Sequence, residues 1–143
     1  MTCFISYSRR DRRFCEQLHA DLHQRSVRCW YFADDAPWGA LLWKEVDRQI
    51  HAYDRLVVVC SKSSLQSTPV LHEIERALWI EDQGKGSVLF PICIDHYLEK
   101  HWTHPRKADV LARVAGNFEG WNRRPGAYEQ GLHGLLEALP RRE

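Results

Sequence analysis

Hydrophobic spacing along the chain switches repeatedly between strand and helix periods. Cys3 to Tyr7 is a short apolar run, and Phe14, Leu18 and Leu22 then recur every fourth residue, which predicts a strand followed by a helix over about 11–25. Between them Ser8-Arg9-Arg10-Asp11 has the form of a capping box, with Ser8 capping the helix and Asp11 answering it. A second strand is predicted over 27–32. It ends in a loop, about Ala33 to Ala40, marked by Pro37 and Gly39. Leu42, Val46 and Ile50 restore helical spacing over about 41–52, and Leu56 to Cys60 is apolar at every position, the pattern of a strand covered on both faces. A Ser-rich loop follows (Ser61, Ser63, Ser64, Ser67), then a helix over about 68–83 and a strand over 88–94. Pro91 inside that strand is a mild conflict, since proline donates nothing to a ladder. Asp95 to Lys107 reads as irregular, followed by a short helix near Asp109, a strand around 114–118 and a helix over about 127–139. The alternation calls for an α/β fold, a doubly wound parallel sheet with helices on both faces.

Composition narrows the classes of function. With 143 residues, 44% of them hydrophobic, the chain reads as one domain over 1–143. Twenty Lys plus Arg against 19 Asp plus Glu leave a net charge of +1, so no general field draws in nucleic acid. No window approaches the roughly 18 apolar residues of a membrane span, and Met1 to Arg10 lacks a signal peptide's apolar stretch; a cytoplasmic location is expected. The five cysteines, Cys3, Cys15, Cys29, Cys60 and Cys93, are scattered without a C-x-x-C pair. They read as reduced thiols filling core positions, with neither a disulfide framework nor a zinc site.

For strand order 2-1-3-4-5, a ligand site belongs at the carboxyl ends of strands 1 and 3, where the winding reverses. The loops there are Ser8 to Asp11 and Ser61 to Pro69. Ser8, Arg9 and Arg10 open a helix, a position suited to a pyrophosphate. The alternative is a solvated cluster with Arg12 and Arg13. In the next helix Val70, Leu71, Ile74, Ala77 and Leu78 form the buried stripe, with Glu73 about 40° beyond one edge and Glu75 about 40° beyond the other. Periodicity does not choose between these glutamates. His19 and His23 have a metal-compatible spacing but lack a third ligand, so no metal is expected, and His96, His101 and His104 read as loop residues. The chain contains no G-x-S-x-G elbow, phosphate-binding P-loop or dinucleotide fingerprint.

Several segments together carry a family resemblance: Phe4 to Ser8 with Asp11, Trp30-Tyr31-Phe32 leading into Asp35 to Gly39, Leu56 to Ser61, Ser67 to Ala77, Leu89 to Ile92, and Asn117 to Trp121. In order and spacing they resemble a Toll/interleukin-1 receptor (TIR) domain of the bacterial type, similar to NAD-consuming defence effectors. The resemblance implies a flavodoxin-like five-stranded sheet. It also implies one of two roles. Some members are scaffolds that assemble through the loop after the second strand, whereas others cleave the nicotinamide–ribose bond of NAD+ or cyclise the ADP-ribose product. The catalytic glutamate of the second branch lies six residues beyond a serine, which maps onto Glu73 counted from Ser67. On this reading NAD+ is substrate and there is no cofactor, Arg9 and Arg10 hold phosphate, and Trp38 or Trp43 stacks on a base or serves self-association. Implied partners are other TIR domains, in a homo-oligomer or filament, and a sensor domain or subunit of a bacterial immune or signalling system. One departure stands out: enzymatic members usually carry an aromatic four residues before the glutamate, and here that residue is Pro69. The aromatic wall of the nicotinamide pocket is then either missing or supplied by Trp38, Trp43 or Trp79.

Overall fold

The computed structural model describes residues 2–33, 55–84 and 86–139. Its elements are β1 (Thr2–Tyr7), α1 (Arg12–Gln24), β2 (Arg28–Ala33), β3 (Arg55–Cys60), α2 (Thr68–Asp82), β4 (Leu89–Cys93), α3 (Tyr97–Lys100), α4 (Lys107–Leu111), β5 (Gly116–Asn117) and α5 (Ala127–Ala138). Short 3-10 turns at Arg9–Asp11 and Ser64–Gln66 lead into α1 and α2. The helix expected over 41–52 lies outside the described residues, as do Trp38 and Trp43. The stretch read as irregular contains the single-turn α3.

All five strands are parallel, in the order β2-β1-β3-β4-β5. Alternation along the central strands divides the core. Cys3, Ile5, Val57, Val59 and Ile92 face α1 and α5 with Phe14, Leu18, Leu22, Leu132 and Leu135. Phe4, Leu56, Val58, Cys60 and Leu89 face α2 to α4 with Val70, Ile74, Ala77, Leu98 and Val110. Every side chain of β3 is buried, which is why its sequence shows no period of two.

Pro91 sits in β4 between two strands. Its carbonyl accepts from Ala115 N at 2.7 Å, and a strand residue's N and C=O point to the same side, so the missing donor faces β5. Pairing with β5 begins only at Ile92 and Gly116, and no ladder bond is lost.

Helix α2 is held at both ends. Ser67 Oγ accepts from Val70 N at a long 3.5 Å at its start, where Pro69 lies in the first turn and needs no N–H partner. In its last turn Glu81 Oε2 accepts from Val88 N (2.9 Å) and Leu89 N (2.8 Å), while Oε1 accepts from Arg113 Nε at 2.8 Å. The helix is thereby tied to the start of β4. Among the described residues no helix is long and apolar enough to cross a membrane.

Candidate functional site

Seven polar or charged residues are buried among those described: Ser6, Ser8, Arg55, Ser61, Ser64, Ser67 and Glu73. Arg55 belongs to the fold, since its Nε donates to Leu139 O at 2.5 Å beyond the end of α5. The other six belong to β1 and the cap that follows it, to the loop after β3, and to α2, the segments that flank the reversal in strand order.

Asp11 and Ser61 join the two loops. Ser61 Oγ donates to Asp11 Oδ2 at 2.5 Å, a charge-assisted bond between the end of β1 and the end of β3. Ser61 N donates to Ser64 Oγ at 2.8 Å, and Ser64 N returns the bond to Ser61 Oγ at 3.1 Å, so the Ser-rich loop has a fixed path into α2. The capping box forms only in part: Ser8 Oγ accepts from Arg10 N at 3.3 Å, but Asp11 makes no side-chain cap for α1. Its carboxylate turns to Ser61. No local sequence signal marks this pairing across fifty positions.

Glu73 lies in the second turn of α2, about 9 Å along the axis from Ser67, and is 1% exposed. Glu75 is on the outer face, where Oε1 accepts from Arg106 Nε at 3.0 Å. The structure thus separates the two glutamates that the helical wheel left equivalent. Burying a carboxylate costs several kcal/mol unless it is well partnered, so a buried glutamate on this helix calls for a role beyond filling space.

The remaining predicted residues divide. Ser8 is buried in its capping role; Arg9 and Arg10 are exposed on the 3-10 turn beside it. Trp79 is 51% exposed with the Arg76 guanidinium 5.6 Å from its ring centre. That places it on the outer face of α2, away from Glu73, and removes it as a wall for a pocket there. His19 and His23 stack at 6.3 Å, and His19 Nε2 is 3.0 Å from Cys29 O. No group of three or more potential metal ligands occurs among the described residues.

Among the described residues is a hollow that sequence reasoning missed. Lys62, Asp95, His96, Tyr97 and His101 line a space of about 440 Å³ at the carboxyl ends of β3 and β4. Asp95 organises it by accepting from Lys62 N at 3.0 Å and Tyr97 N at 2.9 Å. Glu73 is not among its lining residues. His104, the third histidine of this stretch, instead stacks on Trp102 at 4.8 Å.

Residues 3–132 match the family model described as TIR domain. Among solved structures, the TIR domains of the activated Roq1 resistosome that directly recognises the pathogen effector XopQ share 19% identity at a TM-score of 0.57, covering 98% of this chain and 84% of theirs. The TIR domain of the Toll-related receptor TRR-2 from Hydra magnipapillata shares 16% identity at a TM-score of 0.58, covering 94% of this chain and 97% of its own. At these identities the likeness concerns the fold. No curated protein is a significant match to the chain.

Proposed function

The chain belongs to the TIR-domain family, and from that premise we propose that it is an NAD+ glycohydrolase in which Glu73 is the catalytic carboxylate. The observation that carries this reading is the burial of Glu73 on a helix that starts at the sheet's switch point, six residues beyond the capping Ser67. Nicotinamide leaves a cationic pyridinium as a neutral ring, so the reaction needs no general acid to protonate the leaving group, unlike an ordinary glycosidase. It needs a negative charge near C1 of the ribose while oxocarbenium character develops, and orientation of the ribose hydroxyls. One ionised glutamate in a partly dry cleft supplies both. Arg9 and Arg10, exposed beside the Ser8 cap, are the side chains offered to the pyrophosphate. Trp38 and Trp43 are the proposed base-stacking residues. Water then captures the cation to give ADP-ribose, or an adenine nitrogen captures it to give a cyclic product.

Like the TIR domains of the Roq1 resistosome, which occur within an assembly, copies of this chain are proposed to associate in the active state, under a sensor domain or subunit in an immune or signalling system.

The test is nicotinamide release from NAD+ by concentrated protein. Glu73→Gln, which keeps the shape and removes the charge, is expected to lower the rate about 10²–10³-fold with the circular-dichroism spectrum unchanged. Equal release by the variant would overturn the assignment. Pro69, standing where enzymatic relatives carry an aromatic, favours a second reading: a scaffold acting through TIR–TIR contacts. Under that reading the wild type self-associates, and neither protein releases nicotinamide at any concentration.

A further inference from the structure

We propose that Cys3 and Cys29 form an oxidisable dithiol, a site at which peroxide converts the chain to a form with β1 and the edge strand β2 covalently clipped. The two residues are direct partners in the parallel register of β1 and β2, and their Sγ atoms lie 3.1 Å apart. Neighbouring strands run about 4.8 Å apart, inside the Cα separation a disulfide tolerates, so closing the gap to a bond of about 2.05 Å needs only side-chain movement. Register alone does not produce this. Cys60 and Cys93 are also partners, on β3 and β4, but Cys60 turns its Sγ toward Val58 O at 3.8 Å.

Access separates Cys3–Cys29 from an inert core pair. Cys3 is fully buried, whereas Cys29 lines an open hollow of about 380 Å³ with His19, His23, Arg28 and Trp30. The hydrogen bond from Cys29 favours a thiolate on Cys3, against burial, while that bond and burial keep the proton on Cys29. Cys3 thiolate attacks one oxygen of a peroxide admitted beside Cys29; the O–O bond breaks, and the hydroxide released takes the Cys29 thiol proton and leaves as water, giving the sulfenic acid on Cys3. Cys29 sulfur then attacks Cys3 sulfur, the S–O bond breaks, and the departing hydroxide takes a proton from solvent and leaves as the second water. Two thiols are oxidised by two electrons, and one peroxide is reduced to two waters.

The experiment treats the full chain with a small molar excess of hydrogen peroxide, then blocks remaining thiols, digests with trypsin and maps the products by mass. The expected product is Met1–Arg9 joined to Cys29–Lys44, with two hydrogens lost and the link reversed by dithiothreitol. The oxidised protein should melt on the order of 10 °C higher than the reduced one. Cys3→Ser and Cys29→Ser should each abolish the linked peptide. The proposal is overturned if the two peptides stay unlinked while carrying sulfinic or sulfonic acid, or if the link maps to Cys60 and Cys93. Because the map is read on the wild type, the result stands even where a serine variant does not fold.

Discussion

Tyr128 crosses from α5 to α1, where its hydroxyl donates to Asp21 Oδ2 at 2.5 Å. Burial first, and this bond second, hold its pKa well above the ordinary 10.0. Burial acts the same way on the thiols: Cys15 and Cys60 are raised well above 9.0, and Cys93 is pushed up to about 12. The sign follows directly. These groups keep their protons in the folded chain at a pH where the unfolded chain has lost them, so their contribution is complete below about pH 9 and is lost as the pH rises. Melting temperature is therefore expected to fall between about pH 9 and 11, each ionised group contributing up to about 1.4 kcal/mol per pH unit. Tyr128→Phe should flatten the part above pH 10, and a level profile in the wild type would contradict the argument. Glu73 is a second residue whose place is set by packing. Its helical position leaves it on the margin of the apolar stripe, and only the packing around α2 decides that it is inside while Glu75 is outside.

At the scale of elements, α5 lies unusually close to β5. A Cβ added at Gly131 would stand 2.6 Å from the Phe118 ring and 2.8 Å from Asn117 O. Alanine gains about 1 kcal/mol over glycine in a helix interior, but forcing apart an aromatic ring and a backbone carbonyl costs about 1–3 kcal/mol or more. Gly131→Ala is thus expected to destabilise the protein by about 1–2 kcal/mol in urea unfolding, the reverse of what helix propensity predicts. Most elements were legible in the sequence because period and punctuation act locally: α1, β3, α2 and α5 lie within two residues of their expected bounds. β5, only Gly116–Asn117, was shorter than its apolar surroundings implied. Gly131 itself carried no sign of its role, since the Phe118 ring it accommodates comes from the segment that follows β5.

For the molecule as a whole, the five-stranded order brings the ends of β1 and β3 together and leaves β2 and β5 at the edges. If association completes the proposed NAD+ site, nicotinamide released per molecule will rise with protein concentration and level off once assembly is complete. A rate strictly proportional to concentration, with particle size unchanged by light scattering, would count against it. The alternation of strands and helices, the doubly buried β3 and the candidate loops were determined by the chain alone, because each depends on neighbours a few residues away. The tertiary structure decided what depends on distance across the fold: Asp11 meeting Ser61, Trp79 left on the outer face, Cys3 brought against Cys29, and one of two equivalent glutamates enclosed. Local spacing fixes which side of a helix a residue occupies, but whether that side is covered depends on which strands and loops the completed sheet places against it.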